Sequence, residues 1–367
     1  MTLPRLKAPP NLRDLVKEAF AKAVSSGQVT FYPTQVCILT VNDIPFQLRF
    51  SPALASKPKP KLPTPPSTAR APFDPFADPP PSMLISPLGP AHFLVLNKFA
   101  IVPEHFILAT SAYKPQTHIL EQDDLEATLA CIHSYHQSSS SSSTSSTPTS
   151  DNPASQAPDD GLFAFFNCGP HSGASQPHRH IQLLPISRMS HDLPAPLPHT
   201  TPWAVLSSAP RLPALRALPF LAFAERIPHD ISPPDLHATY LRLYRRACRA
   251  AAAAAPHSPA LSDPSLDECS GEARISYNLA MTRDAMVLCP RLAEGAEIAG
   301  HGDDGDDDGG NRTPLGCLSL NGTLLAGTAL VKNEVEWDAM RRGHPEALMG
   351  VLRKIGIPRD LSDEGRL

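Results

Sequence analysis

The hexapeptide Pro177-His178-Arg179-His180-Ile181-Gln182 is the most informative stretch of this 367-residue chain. Side chains alternate between the two faces of a β-strand, so a strand through this segment places His178, His180 and Gln182 on one face. Arg179 and Ile181 then point to the opposite face. Two imidazoles and a carboxamide on a shared face are unusual for a core strand, so the segment predicts a polar site built on a strand.

The ten residues before this segment predict a binding loop for an anion. They read Asn167-Cys168-Gly169-Pro170-His171-Ser172-Gly173-Ala174-Ser175-Gln176. Small side chains allow backbone N–H groups to approach an anion closely, and Ser175 and Gln176 add side-chain donors. A nucleophilic imidazole beside such a loop suits phosphoryl or nucleotidyl transfer, in which the α-phosphate must be held while the nucleophile attacks in line.

His180 is the candidate nucleophile. A neutral imidazole is a good nucleophile near pH 7, and its phosphoramidate breaks down readily enough to allow turnover. One ring nitrogen attacks, and we expect the other to donate to a backbone carbonyl that sets the tautomer. The alternative is that His178 and His180 are metal ligands or structural core histidines. The sequence has no cysteine pair or H-E-x-x-H element to complete a zinc site, so no metal site is predicted.

Composition narrows the expected partners and the compartment. The chain has 32 basic and 36 acidic residues and a formal net charge of −4, so no nucleic-acid partner is predicted. Its seven scattered cysteines never form C-x-x-C, which favours a reducing compartment; we expect a cytoplasmic protein, with the nucleus also compatible. No signal peptide is recognised and no apolar stretch approaches the ~20 residues of a membrane span, so no membrane partner is expected.

Hydrophobic periodicity predicts an α+β protein, because helices and strands are mixed without regular βα alternation. Helices are expected over 12–24, from Asp123 onwards, over 234–255, and near 334–341 and 345–355. Strands are expected over 36–41, 46–50, 91–96, 105–110, 161–166 and 180–184. Two hairpins are expected, one formed by 36–41 and 46–50 around Asn42-Asp43, the other by 274–281 and 285–290.

Segments of biased composition interrupt this pattern. Residues 51–82 are rich in Pro, Lys and Ala and are predicted to form a long loop. The Ser/Thr/Pro tract 137–158 is predicted to be disordered, and the Asp/Gly-rich insert 296–313 to be a solvated acidic loop. The organisation expected is an N-terminal catalytic part, 1–200, and a C-terminal part, 201–367, with both inserts in surface loops.

The stretch from Ser172 to Gln182 resembles the signature of the fungal diadenosine tetraphosphate phosphorylases, also called ATP adenylyltransferases. These form the His-x-His-x-Gln branch of the histidine-triad superfamily, beside galactose-1-phosphate uridylyltransferase. Further similar segments lie at 44–50, 56–58, 92–99, 102–106, 114–116, 276–279, 288–291, 319–327 and 331–332. The resemblance implies a histidine-triad-like mixed or antiparallel sheet with flanking helices. Arg179 stands where the family often has lysine, on the opposite strand face, so no effect on the chemistry is expected.

The resemblance implies a reaction and a site. Diadenosine tetraphosphate and phosphate would give ATP and ADP, reversibly, through adenylylated His180, with His178 and Gln182 as the other catalytic residues. The substrate-binding residues implied are Lys57, Asn97, Lys98, Asn167, Gly173, Ala174, Ser175, Gln176, Asn321, Gly327 and Lys332. A divalent cation, Mg²⁺, and a monomer are also expected. Lys59 and Lys61 compete with Lys57 for its role.

Other functions stay open at this point. A histidine-triad hydrolase would pass AMP to water, but hydrolases of the superfamily carry a third histidine at the position of Gln182. A carboxamide cannot shuttle a proton, although it can hydrogen-bond a phosphate oxygen, which favours transfer to an anion. A sugar-phosphate uridylyltransferase and a non-catalytic nucleotide-binding protein are further alternatives. Among the single residues, Asn321 could form a turn and Lys332 could be a solvated side chain. The histidines expected to be structural or at the surface are His92, His105, His171 and His191.

Overall fold

The computed structural model describes residues 5–53, 73–140, 161–196, 198–255, 270–299 and 315–359. The helices in these ranges are α1 (Leu12–Ser25), α2 (Gln122–Ser140), α3 (Ile186–Met189), α4 (Pro233–Ala254), α5 (Glu334–Arg342) and α6 (Glu346–Ile355). Two 3-10 helices span Ala209–Ala217 and Gly322–Ala326. None of the helices in these ranges is long and apolar enough to cross a membrane.

The strands, in chain order, are β1 (Thr30–Phe31), β2 (Gln35–Val41), β3 (Ile44–Phe50), β4 (Leu84–Leu88), β5 (His92–Leu96), β6 (Phe99–Ala100), β7 (Phe106–Thr110), β8 (Leu162–Cys168), β9 (His180–Pro185), β10 (Phe223–Arg226), β11 (Ser276–Met281), β12 (Ala285–Arg291), β13 (Gly295–Glu297), β14 (Cys317–Ser319) and β15 (Thr328–Val331).

An eight-stranded antiparallel sheet in the order β10-β12-β11-β8-β9-β7-β5-β4 forms the centre of the molecule. A three-stranded sheet, β15-β3-β2, and two-stranded pairs β1-β6 and β13-β14 accompany it. The predicted α+β class with a largely antiparallel sheet and flanking helices is confirmed. Strands from both sides of residue 200 share the large sheet, and the division of the chain at that residue stays a prediction.

The central strands are buried on both faces, because a separate apolar core covers each side. In β8, Ala164 and Phe166 belong to the core formed with α1, α2 and α4. Phe163 and Phe165 alternate with them and belong to the second core, formed with the three-stranded sheet, α5 and α6. The alternation places the even-numbered side chains of β9 on a defined face: Gln182 pairs with Phe165, and Leu184 pairs with Phe163.

Both predicted hairpins are confirmed. β2 pairs with β3 in antiparallel register around a turn at Asn42 and Asp43, whose φ angles are +48° and +62°. These two residue types tolerate the left-handed region that a tight hairpin turn requires. β11 and β12 pair in the same way, joined at Thr282-Arg283-Asp284.

The two inserts of low sequence complexity have boundaries that differ from those predicted. Helix α2 continues to Ser140, so disorder from residue 137 is wrong; serine is a tolerable helix residue where a packed helix is already established. Residues 141–158 lie outside the described ranges. The acidic insert also begins later than predicted, because β13 pairs with β14 and includes residues 296 and 297; residues 300–313 are outside the described ranges.

The edge strands β4 and β10 were missed by the sequence patterns. β4 contains Ser86 and Pro87, which weaken the signal of a strand. Proline cannot donate to a sheet ladder, so it is tolerated at an edge position such as this one.

Candidate active site

The first residue of β9, His180, lies at the centre of the predicted site, and its tautomer follows from its hydrogen bond. Its Nδ1 lies 2.8 Å from the backbone carbonyl oxygen of His178. A carbonyl oxygen only accepts, so Nδ1 carries the proton and the lone pair is on Nε2. The expected backbone acceptor is thereby confirmed, and Nε2 is the nitrogen available for attack.

His178 is held at both ring nitrogens. Its Nδ1 lies 2.7 Å from Asp74 Oδ2, and its Nε2 lies 2.8 Å from the backbone oxygen of Thr110 and 3.0 Å from Thr110 Oγ1. Within the described part of the chain, His180 Nε2 has no such partner. This difference distinguishes the two predicted histidines: His180 can act as a nucleophile, while His178 supplies the carbonyl and is fixed in place.

The ring of Phe76 contacts both imidazoles. Its centroid lies 5.6 Å from that of His178 and 5.1 Å from that of His180. Asp74 fixes this ring as well, since Asp74 Oδ1 accepts the N–H of Phe76 at 2.9 Å. The turn Asp74-Pro75-Phe76 is therefore one wall of the site, and it keeps the two histidines largely out of water.

Burial sets the protonation state of His180. The side chain is only 3% exposed, and desolvation lowers its pKa to about 4, although the hydrogen bond to the His178 carbonyl acts in the opposite direction. Desolvation disfavours the charged imidazolium, which has no carboxylate partner at His180 among the described residues. His180 is consequently neutral, and so nucleophilic, near pH 7.

The ladder between β8 and β9 opens beside His180, and the side chain of Gln116 fills the gap. The last pair of the ladder is Phe165 with Gln182. Beyond it, Gln116 Oε1 accepts the N–H of His180 at 2.8 Å, and Gln116 Nε2 donates to the backbone oxygens of Asn167 and His180, at 2.8 and 3.2 Å. The carboxamide provides hydrogen-bond partners for the separated backbone groups and links His180 to β8.

Gln182, the third predicted residue of the polar face, lies in a hydrogen-bond network with Asn97 and His105, which flank β6 between β5 and β7. Its Oε1 lies 2.6 Å from His105 Nε2 and 3.4 Å from Asn97 Nδ2. Desolvation lowers the pKa of His105 to about 4, so this imidazole is also neutral near pH 7. The structure therefore brings the predicted residues Asn97, His180 and Gln182 together.

Asn167 joins the central sheet to the C-terminal part of the site. Its Oδ1 accepts the N–H of Gly322 and the Nδ2 group of Asn278, both at 2.9 Å. The Arg291 guanidinium in turn donates to Asn278 Oδ1 and to the backbone oxygen of Leu320. The segment that precedes and starts the 3-10 helix Gly322–Ala326 is thereby held against the end of β8.

The predicted anion loop passes close to the same segment. Gly173 has a φ of +79°, and a Cβ atom at this position would lie 2.8 Å from Asn321 Cβ and 3.0 Å from the backbone oxygen of Leu320. Only glycine allows this approach without strain. Ala174 and Ser175 are exposed and Gln176 is half-buried, so the loop is accessible to a ligand.

The other predicted residues have varied settings. Lys98 and Lys332 are exposed, and Lys98 Nζ lies 5.8 Å from the centroid of the Phe99 ring. Asn321 caps the 3-10 helix, accepting from the N–H of Thr323 at 3.0 Å, which is the turn role considered for it above. Gly327 ends this helix with a φ of +72°. Lys57, Lys59 and Lys61 lie outside the described residues.

Arg179 points away from the nucleophile, as the strand alternation predicts. Its Nη1 lies 2.8 Å from Asp124 Oδ2 and 2.9 Å from Glu121 Oε1, on the side of the sheet that carries α2. Its role is to anchor the start of α2 to the strand.

Several contributors to the site were not predicted, among them Asp74, Phe76, His105, Thr110 and Gln116. Asp74 and Phe76 come at the end of a proline-rich loop, where the sequence carries no periodic signal. His105 was expected to be structural or at the surface. Gln116 belongs to a segment that shares the family resemblance, and that resemblance was the one signal that could have drawn attention to it.

Family models match most of the chain. The Ap4A phosphorylase N-terminal domain matches residues 4–139 and 155–201, and the ATP adenylyltransferase C-terminal domain matches residues 216–358. The chain belongs to the Ap4A phosphorylase family.

Curated relatives come from Saccharomyces cerevisiae. Diadenosine 5',5'''-P1,P4-tetraphosphate phosphorylase 2 is 30% identical over 179 residues, which are 47% of this chain and 50% of the relative. Protein APA1 is 26% identical over 186 residues, 49% of this chain and 50% of the relative. The chain thus aligns with about half the length of the curated relatives it matches.

Solved structures share the fold over nearly the whole length. The crystal structure of yeast Ap4A phosphorylase Apa2 superimposes with a TM-score of 0.64 at 21% identity, covering 96% of this chain and 97% of Apa2. The structure of Apa2 in complex with Ap4A gives a TM-score of 0.64 at 22% identity, covering 95% and 98%. These matches agree with the predicted fold.

Replacement of Gly173 tests the contact between the loop and the C-terminal segment. Gly173→Ala must move Asn321 and Leu320 or the loop itself, so we expect it to lower the melting temperature by several degrees more than a glycine replacement that meets no neighbour. Gly271→Ala is the matched control, because Gly271 has a φ of +76° and no atom within 4 Å of the added Cβ. The control has a similar backbone cost of about 1–2 kcal/mol. Equal melting temperatures of the two variants, measured by differential scanning calorimetry, would contradict the close contact.

Proposed function

We propose that this chain catalyses the reversible phosphorolysis of diadenosine tetraphosphate to ATP and ADP through adenylylated His180. The observation that carries the proposal is the tautomer of His180, whose Nδ1 is bound to a backbone carbonyl and whose Nε2 bears the lone pair. Membership of the Ap4A phosphorylase family supports this choice of nucleotide, and so does the substrate after which the relatives are named. The proposal includes a place in the His-x-His-x-Gln branch of the histidine-triad superfamily.

In the first half-reaction, His180 Nε2 attacks the α-phosphorus of one adenosine unit. The P–N bond forms as the P–O bond to the remaining triphosphate breaks, so ATP leaves and AMP stays on the histidine. The positive charge that develops on the ring is shared with Nδ1–H, which already donates to the carbonyl of His178. No side-chain rearrangement is needed to stabilise the ring while it is attacked.

In the second half-reaction, an oxygen of inorganic phosphate attacks the same phosphorus, the P–N bond breaks, and ADP leaves. The carboxamide of Gln182 supports phosphate over water as the acceptor. It can hydrogen-bond an oxygen of the adenylyl group, but it has no titratable proton with which to activate water. The reverse direction uses the same steps and makes the dinucleotide from ATP and ADP.

The remaining predicted residues are proposed to bind the polyphosphate and the nucleosides. The exposed loop Gly173–Ala174–Ser175–Gln176 offers N–H and side-chain donors to phosphate oxygens. Lys98 and Lys332, both exposed, and Lys57 are proposed as cations along the polyphosphate. On the basis of the contacts described above, four further residues are proposed to hold the site in shape close to the substrate: Asn97, Asn167, Asn321 and Gly327.

A divalent cation, Mg²⁺, is proposed to arrive with the substrate. Within the described residues, no group of three His, Cys, Asp or Glu side chains could hold a metal ion. The donors around His180 are imidazole, carboxamide and backbone groups, which suit phosphate oxygens better than Mg²⁺. The cation would be held mainly by the polyphosphate and would neutralise part of its charge.

We further propose that the protein is a monomer acting in the cytoplasm, or also in the nucleus, without nucleic-acid or membrane partners. The six described cysteines are free, which suits a reducing compartment.

Covalent labelling tests the proposed intermediate. Incubation with ADP radiolabelled in the α-phosphate should release phosphate and leave acid-labile label on the wild-type protein, by the reverse of the second half-reaction, and leave none on His180→Ala. His191→Ala is the control, because this histidine is 67% exposed and is expected to label like the wild type. Label retained on His180→Ala would place the nucleophile elsewhere and overturn the proposal.

The pH dependence of ATP release tests the protonation state of the nucleophile. Because the pKa of His180 is lowered to about 4, the neutral ring is present above that pH and is lost as the pH falls through it. We expect the single-turnover rate from diadenosine tetraphosphate to be level between about pH 5.5 and about pH 8. Rapid-quench kinetics measure it, with circular dichroism to check folding. An acid limb centred near the ordinary histidine pKa of about 6.5 would contradict the buried, neutral nucleophile.

A further inference from the structure

The orientation of the Gln182 carboxamide decides what this residue can do. Its oxygen accepts hydrogen bonds and its nitrogen donates them, and the two ends have nearly the same shape. Only the NH₂ end can bind a phosphate oxygen. If the oxygen faced the substrate instead, it would repel the phosphate, so an element of the protein must select one of the two orientations.

The selection begins at a backbone N–H group. Phe99 N donates to Asn97 Oδ1 at 2.9 Å, and a backbone N–H group can only donate. Asn97 must therefore present its Nδ2 group on the other side, where it lies 3.4 Å from Gln182 Oε1 and at 3.3 and 3.4 Å from the two ring nitrogens of His105. A donor at this place rejects the NH₂ end of Gln182.

His105 completes the selection. Its ring is neutral and therefore has one donor and one acceptor nitrogen. The end of Gln182 that the Asn97 donor selects is the oxygen, which only accepts, so the ring nitrogen beside that oxygen, Nε2, carries the proton and Nδ1 has the lone pair. Nε2 then donates to Gln182 Oε1, which lies 2.6 Å away. Both neighbours thus donate to the oxygen of Gln182, and its NH₂ group is left to face away from them.

The backbone around His105 is built to hold this ring. The residue before it, Glu104, has a φ of +63°, in the left-handed region that non-glycine residues seldom adopt. The buried Glu104 carboxylate accepts from Arg188 Nη2 at 2.6 Å, and the backbone oxygen of His105 accepts the N–H of Asn97 at 3.0 Å. The ion pair and the backbone hydrogen bond fix the entry into β7.

We propose that His105 is a positioning residue for the transfer reaction, which holds the Gln182 carboxamide, together with Asn97, so that its NH₂ group faces the α-phosphate. The inference rests on the proposed function and assigns a role to a histidine outside the His-x-His-x-Gln segment. His105 touches no reacting atom in this account. It acts on the adenylyl group through Gln182 alone.

A double-mutant cycle tests this dependence. His105→Leu removes the donor, whereas His105→Gln keeps a donating nitrogen at the end of a side chain of similar reach. In the wild-type background, we expect His105→Leu to lower kcat for phosphorolysis by about 10–100-fold with a smaller change in KM. His105→Gln should recover most of this loss. In a Gln182→Ala background, His105→Leu should change kcat by less than about twofold.

Controls separate a local effect from a loss of folding. His133→Leu replaces a histidine on α2, outside the site, and should leave kcat unchanged. The melting temperatures of all variants are measured, and His105→Leu and His105→Gln are expected to be similar. An equal loss of kcat with and without Gln182, no rescue by His105→Gln, or no loss in His105→Leu would each overturn the inference. If the wild type shows no phosphate-dependent turnover, the proposed function fails, and that outcome is distinct from these.

Discussion

The hydrogen bond from His180 Nδ1 to the backbone carbonyl of His178 is the interaction on which the site depends. It determines the tautomer, directs the lone pair to Nε2 and gives a permanent acceptor to the proton that must carry charge when the ring is attacked. The bond is possible because His178, which supplies the carbonyl acceptor, is itself fixed by Asp74 and Thr110. The two histidines of the segment thereby have different proposed tasks, one as a nucleophile and one as its support.

The ladder between β8 and β9 ends before His180, and the backbone groups of His180 and Asn167 are therefore available to bind a side chain. A continuous ladder would pair His180 with Asn167 and leave no backbone groups for other partners. Instead, the carboxamide of Gln116 lies between them and satisfies both strands. Asn167 also accepts the N–H of Gly322 with its side-chain Oδ1, so the residue opposite His180 in the two strands is connected to the C-terminal part of the chain as well.

Local patterns predicted much of the site, because its main residues lie on one strand and the loop before it. Alternation places Arg179 opposite His180 and Gln182, and the small residues around Gly173 predict a close approach of the backbone. The supporting residues could not be predicted in this way. Asp74, Gln116 and His105 reach their partners from 104, 64 and 77 positions away, respectively, and only the tertiary fold brings them together. The edge strand with Pro87 was missed for a related reason, since its pairing depends on β5 rather than on its own sequence.

We propose that the adenylyl group passes from His180 to phosphate and not to water. This is tested by the turnover of diadenosine tetraphosphate by the purified protein with and without inorganic phosphate, with the products separated by chromatography. We expect equal amounts of ATP and ADP at a rate that rises with phosphate concentration, and no more than one equivalent of ATP without phosphate. Sustained formation of ATP and AMP at the same rate in the absence of phosphate would contradict transfer to phosphate.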